Sequence, residues 1–123
     1  MRKCIGNSNT LTLNGRIYTK DVLEGVAKDI NNRKNKVFCY ASPDTTIETI
    51  TGVIKFAEVV DDKLMVDIDL LEVPAGKHLK CILKRIGDDS LNCYPSGYGC
   101  VGKDGVVSDY ELENVVMCFD KEG

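Results

Sequence analysis

Histidine and tryptophan are almost missing from this chain of 123 residues, which has one His (His78) and no Trp. Zinc sites usually combine histidine with cysteine, and a cysteine-only site begins with a Cys-x-x-Cys pair, which the sequence lacks. A single histidine also leaves a hydrolase without an obvious general base. We expect His78 to be a partly exposed helix residue, and we expect no metal and no cofactor.

Long apolar runs and an excess of positive charge are missing as well. No run approaches the roughly 20 residues that span a bilayer, and no signal-peptide stretch follows the first residues. The 16 Lys and Arg residues stand against 19 Asp and Glu, a net charge of −3, whereas proteins that bind duplex DNA present a dense basic face. We therefore expect a cytoplasmic protein that binds neither membranes nor duplex nucleic acid.

The chain is predicted to form one domain over residues 1–123, since roughly 100–200 residues make a domain and no repeat or linker divides it. Its six cysteines favour a disulfide framework only in a secreted protein. Most of them lie in apolar runs, so we expect reduced thiols buried in the core. The six are Cys4, Cys39, Cys81, Cys93, Cys100 and Cys118.

Apolar residues recur at helical spacing in two segments. The first covers residues 20–31, with Thr19 as its predicted N-cap. The second begins at Pro74 and ends at Gly87, a predicted C-cap. Strands are predicted at the amino terminus and over residues 36–40, 46–60, 63–71, 90–94, 98–101 and 106–119, with a hairpin turn at Asp61-Asp62. This order predicts an α+β fold, a curved antiparallel β-sheet or small barrel with two α-helices.

Two segments carry residues suited to a binding site. In the first, Asn14-Gly15 predicts a tight turn that presents Arg16 and Tyr18 beside a helix N-terminus, which favours an anion. The second runs from Asn92 to Gly99 and is read as a bend, rich in Gly and Tyr, between two strands. Tyrosine stacks on a purine or ribose, and glycine lets backbone approach a ligand. A turn with packed aromatics is the alternative for each.

The same segments resemble the serine proteases with which tailed bacteriophages mature their proheads. The opening motif of that family, Asn-x-Asn-Gly-Arg-x-Tyr, is similar to Leu13-Asn14-Gly15-Arg16-Ile17-Tyr18. A Pro-x-Gly before the second helix corresponds to Pro74-Ala75-Gly76, and the Gly-rich strand turn corresponds to Ser96-Gly97-Tyr98-Gly99. The resemblance covers most of the chain.

The departures from that family concern its catalytic residues. The His-Pro pair that supplies the general base is replaced by Ala41-Ser42-Pro43. Tyr94 or Pro95 takes the place of the nucleophilic serine of that family. A serine without a base would in any case be an ordinary alcohol. Cys93 beside that position would still need a base. We therefore expect no catalytic residues and no enzyme activity, and one reading is a catalytically inactive prohead-protease-like protein of capsid assembly.

In length, element order and general character the chain also resembles the Thoeris anti-defense 1 family of phage proteins. That resemblance implies an inhibitor in the host bacterial cytoplasm that binds, without cleaving it, glycocyclic ADP-ribose, the immune signal of bacterial TIR enzymes. Some members also take up cyclic oligonucleotides. Sequestration of such a nucleotide signal is our leading expectation, and a structural phage protein with no ligand is a further alternative.

Such a ligand needs stacking partners, phosphate donors and ribose contacts. Arginine binds phosphate with two parallel hydrogen bonds, which lysine cannot do. The predicted ligand-binding residues are Arg16, Tyr18, Tyr40, Arg85, Asn92, Tyr94, Ser96 and Tyr98, with Phe38 and Lys84 as further candidates. Because a chain of this size has little room to enclose a dinucleotide, we expect a homo-oligomer, a dimer or a trimer of dimers. The pocket could then lie within a subunit or at a subunit interface.

Overall fold

Two helices and seven strands form the part of the chain that the structure, a computed structural model, describes: residues 1–9, 16–34 and 36–119. Short 3-10 turns at Ile47–Thr49 and Asp88–Ser90 precede two of the strands. The elements in chain order are β1 (Arg2–Asn7), β2 (Ile17–Tyr18), α1 (Lys20–Asn32), β3 (Phe38–Tyr40), β4 (Ile50–Val60), β5 (Lys63–Leu70), α2 (Pro74–Ile86), β6 (Asn92–Val101) and β7 (Val106–Cys118).

The strands form one sheet in the order β1-β5-β4-β3-β7-β2, and β6 pairs with β7. β1 and the start of β6 approach each other without a ladder. There the Lys3 ammonium donates to the carbonyl oxygens of Leu91, at 2.8 Å, and Asp88. The sheet is therefore nearly closed into a barrel, which confirms the predicted α+β fold with two helices.

The sheet is mixed, whereas the sequence predicted antiparallel pairing throughout. β7 runs parallel to β2 and β3 and antiparallel to β6. Hairpin-length links produce antiparallel pairs, but these parallel neighbours are far apart in sequence and are joined through helices and other strands. The two-residue strand β2 was not predicted at all.

Helix α1 begins and packs as its sequence predicts. Thr19 Oγ1 accepts a hydrogen bond from the Val22 N–H at 3.3 Å, which caps the first turn. The apolar stripe is buried at Leu23, Val26, Ala27 and Ile30. At the other end the Asn31 amide joins the helix to β4, because its Oδ1 accepts from Ala57 N at 2.8 Å and its Nδ2 donates to Ala57 O at 2.7 Å.

Strand β5 alternates as predicted, with Leu64, Val66 and Ile68 in the core and Asp69 exposed. The hairpin turn before it is confirmed, since Asp61 and Asp62 adopt positive φ of 50° and 65°. Gly87 ends α2 at φ 83°, as its predicted role as a cap requires. Neither helix, at 13 residues each, has the length and apolar character needed to cross a bilayer.

The predicted bend between residues 94 and 98 is wrong, because β6 is one continuous strand. Pro95 is tolerated because, among the described strands, β6 pairs with β7 alone and so lies at an edge. The register between β6 and β7 shifts at two bulges, one after Ser96 and one after Tyr98. Gly97 lies so close to the Glu111 carbonyl that no side chain fits there.

Two smaller predictions also need correction. Residues 47–49 form a 3-10 turn instead of the start of a strand, because Thr46 and Thr49 hydrogen bond to each other across the turn. None of the six cysteines forms a disulfide, as predicted, but only Cys39 and Cys93 are buried, and Cys81 and Cys100 are exposed. Cys81 lies on the solvent face of α2 and Cys100 beyond the second bulge of β6.

Two helical glycines provide a matched test of this packing. A Cβ at Gly76 would collide with the carbonyl oxygens of Leu71 and Thr51, whereas a Cβ at Gly25 meets nothing within 4 Å. We expect Gly76→Ala to lower the free energy of unfolding by about 2–3 kcal/mol. Gly25→Ala should raise it by about 0.5–1 kcal/mol, because alanine favours the helix. Urea denaturation measures both, and a stabilised Gly76→Ala variant would contradict the packing of α2 on the sheet.

Candidate functional site

Tyrosines from two strands flank β7 on one face of the sheet. Tyr40 of β3 and Tyr94 of β6 are both in register with Val116 of β7, which places the three side chains in line. The tyrosine backbones lie two strand spacings apart, about 10 Å. We call Tyr40, Val116 and Tyr94 the tyrosine row. All three are half-buried, whereas the next residues, Cys39, Val115 and Cys93, are buried on the opposite face.

Strand β6 extends this face with alternate residues. Side chains at every second position of β6 lie on the same side of the sheet. These are Asn92, Tyr94, Ser96 and Tyr98. Ser96 is exposed, and Tyr98 keeps 70% of its surface in solvent. Five of the predicted ligand-binding residues, including Tyr40, are therefore together on one face.

Arg16 and Tyr18 lie elsewhere, where β2 meets the start of β7. The Tyr18 ring packs edge-on against Tyr110, with the ring centres 5.3 Å apart and the planes at 84°. The pKa of Tyr110 is raised to about 12, chiefly by burial and to a smaller extent by Tyr18, while the cationic Arg16 opposes the shift. The Asn14-Gly15 turn predicted just before them lies outside the described residues.

Arg85, the second predicted phosphate ligand, is exposed in the last turn of α2. That helix packs against β4 and β5 and buries Leu79 and Leu83. The structure thus groups the predicted stacking and ribose residues, but it leaves both arginines on other elements. Within one chain the predicted nucleotide site is not assembled.

The positions that the prohead-protease resemblance assigns to catalysis lie on, or directly after, the two strands that flank β7. Ala41-Ser42-Pro43 follows Tyr40 directly at the end of β3, and Tyr94-Pro95 lies across β7 on β6. Ser42 Oγ accepts a hydrogen bond from Asp44 N at 3.2 Å. Neither segment contains histidine, lysine or a carboxylate, and His78 lies on the exposed side of α2. Neither segment supplies a general base.

Cys93, the remaining candidate nucleophile, points into the core. Burial raises its pKa to about 11, with Lys3 lowering it and Cys118 raising it by smaller amounts. Burial also raises the pKa of Cys39. A thiol attacks as its thiolate, so a buried protonated sulfur is a weak nucleophile at neutral pH. Cys93 is a core residue of this fold.

Carboxylates of β7 make this face acidic near Tyr98, a feature that the sequence reasoning missed. Tyr98 is in register with Glu111, and its phenol hydrogen bonds to Glu113, which raises the pKa of Tyr98. The alternation of Asp109, Glu111 and Glu113 along a predicted strand was the available signal. In the described residues, no three His, Cys, Asp or Glu side chains are grouped so as to hold a metal ion.

The fold is similar to that of the bacteriophage T4 capsid assembly protease, gp21. The match has a TM-score of 0.70 at 17% sequence identity and covers 94% of this chain and 79% of that chain. No family model matches the sequence, and no curated protein is significantly similar to it. The expected resemblance to the prohead proteases is therefore confirmed at the level of the fold.

The cysteines provide a test of this arrangement. With a pKa of about 11, on the order of 1 in 10³–10⁴ of the Cys93 thiols is ionised at pH 7.5, and the sulfur is also buried. We expect a thiol reagent to label Cys81 and Cys100 quickly, and Cys39 and Cys93 only after unfolding. Peptide mass spectrometry identifies the labelled sites, and Cys81→Ser with Cys100→Ser should remove the fast phase. Rapid labelling of native Cys93 would contradict its assignment to the core.

Proposed function

We propose that this chain is a non-proteolytic, prohead-protease-like protein that acts in phage capsid assembly by binding a polypeptide segment. The observation that carries the proposal is the tyrosine row. It stands between the two positions at which the resemblance places a base and a nucleophile, in a fold similar to that of the T4 capsid assembly protease. The chain thus presents a surface on which a peptide could bind, without the base and the nucleophile that peptide cleavage requires.

The chemistry at those positions supports binding without cleavage. Peptide hydrolysis by a serine or cysteine needs the nucleophile within hydrogen-bond reach of a base. Ala41 and Pro43 supply no titratable group, and the Cys93 sulfur lies on the opposite side of the sheet from Tyr94. The tyrosine row itself presents only phenol and aliphatic groups to a bound peptide.

The surface around the row suits an apolar polypeptide. Phe38 lies two residues before Tyr40 on the same face, is 38% exposed, and is in register with the half-buried Val53. Tyrosine and phenylalanine offer large contact area at little cost in conformational entropy, which is why they are enriched at interfaces. Among the described strands β6 forms a ladder with β7 alone, so an extended segment could be added along its other edge.

Binding to immobilised capsid and scaffold proteins of the same phage tests the proposal. We expect retention of the intact chain, with no new fragments of either partner by mass spectrometry. The double variant Tyr40→Ala/Tyr94→Ala should weaken binding at least about tenfold, because it removes two half-buried aromatic contacts. Val60→Ala, at an exposed apolar residue beside the β4–β5 turn and away from the tyrosine row, is the control. Cleavage of a partner, or equal binding by both variants, would refute the proposal.

Sequestration of a nucleotide immune signal in the host bacterial cytoplasm is a second candidate. The observation in its favour is that Asn92, Tyr94, Ser96 and Tyr98 share one face, where they offer stacking and ribose contacts. Phosphates would still need cations, and Glu111 and Glu113 occupy the same region. This function therefore requires a homo-oligomer in which Arg16 or Arg85 of another copy reaches the face.

Recovery of intact ligand after denaturation distinguishes sequestration of the nucleotide from its degradation. The protein is incubated with glycocyclic ADP-ribose, denatured by heat, and the supernatant is assayed for intact ligand. Sequestration predicts depletion before heating and full recovery after it, and Tyr94→Ala should lose the depletion, since base stacking contributes about 1–3 kcal/mol. A thermal-shift assay with the same ligand should show a rise in Tm. A flat thermal shift, or a degraded ligand, counts against sequestration.

A further inference from the structure

The net negative charge of the chain lies on one hairpin, because that hairpin contains few lysines and arginines. Residues 92–118 contain one lysine, Lys103, and four acidic residues, which gives a net charge of −3. The whole chain also has a net charge of −3, so the charges of all other residues sum to zero. Two of the four flank an exposed aromatic ring. We call Tyr98, Glu111 and Glu113 the acidic patch, since all three are exposed and Tyr98 is in register with one glutamate and hydrogen bonded to the other.

Positive charge is concentrated on α2 to a similar extent. The helix contains four Lys and Arg residues and no Asp or Glu. Lys80 pairs with Glu72, and the pKa of that glutamate is lowered chiefly by the same lysine. We call the other three, Lys77, Lys84 and Arg85, the cationic ridge. They are exposed on the solvent side of the helix, and none of them forms an ion pair with the described residues.

The two surfaces do not neutralise each other within one chain. α2 packs through Leu79 and Leu83 into the core and against β4 and β5, with the cationic ridge turned to solvent. Tyr98 lies on β6 with 70% of its surface exposed. Each chain therefore presents the three cations of the ridge on α2 and the two exposed carboxylates of the acidic patch on β7, on separate elements.

We propose that a second copy of this chain is the partner of both surfaces, with the cationic ridge of one copy docked on the acidic patch of another. The lysines would pair with Glu111 and Glu113, and Arg85 would stack on the Tyr98 ring, a pairing in which arginine and tyrosine are both favoured. Such a contact closes a dimer when it is reciprocal, and gives a ring or filament when it runs head to tail. It goes beyond the proposed function and does not depend on the tyrosine row.

Sedimentation of the full chain with charge-reversal variants tests this contact. Wild-type protein should self-associate in 50 mM NaCl and dissociate in 1 M NaCl, where the Debye length falls to about 3 Å. Lys77→Glu/Lys84→Glu and Glu111→Lys/Glu113→Lys should each raise the Kd of self-association at least about tenfold. An equimolar mixture of the two variants should associate again, because each restores the complementary charge for the other.

The controls separate electrostatic docking from misfolding and from other modes of association. Lys28→Glu, on the exposed side of α1, should leave self-association unchanged. Circular dichroism establishes that each variant folds, and the milder Glu111→Gln/Glu113→Gln replaces any that does not. A wild-type monomer at low salt, an oligomer that persists in 1 M NaCl, or a mixture that fails to associate would overturn the proposal. Loss of peptide binding in the tyrosine variants would not affect this result.

Discussion

The backbone hydrogen bonds of β7 organise the rest of the structure. A buried strand must satisfy its N–H and C=O groups along both edges. β6 pairs with one edge for almost its whole length, while the other edge is shared by β2 at Val106 and Val107 and β3 at Val115 and Val116. Between these two short strands the Arg33 guanidinium, at the end of α1, donates to the Leu112 carbonyl at 2.7 Å. One long strand thus determines where both ends of α1 lie.

The position of the candidate site follows from the way in which β3 and β6 both pair with β7. Because β3 and β6 pair with opposite edges of the same segment of β7, Tyr40 and Tyr94 lie on either side of Val116. The catalytic positions implied by the prohead-protease resemblance lie next to them, so a framework of this kind could bring a base and a nucleophile together. Here the same framework holds an alanine, a proline and two tyrosines. The barrel is similar in fold to a capsid assembly protease and differs from the prohead-protease motifs at those positions.

Local features were predictable from the sequence, and features that depend on distant pairing were not. The Thr19 cap, the Gly87 cap and the alternation of β5 follow from rules that involve a few neighbouring residues. The tyrosine row depends on a parallel pairing between residues 40 and 116, which no local pattern encodes. The continuity of β6 was missed because Pro95 and Gly97 usually mark a turn, whereas an edge strand with bulges accommodates both.

The approach of β1 to β6 has a consequence for the motions of the barrel. In the described chain no ladder joins these two strands, and the Lys3 side chain spans the gap to the carbonyls of Asp88 and Leu91. Ordering a long lysine side chain costs conformational entropy, so this junction is held more weakly than the ladders around it. Fluctuations that open the cylinder should therefore begin there, and amide hydrogens on the facing edges should exchange with solvent sooner than those between β4 and β5.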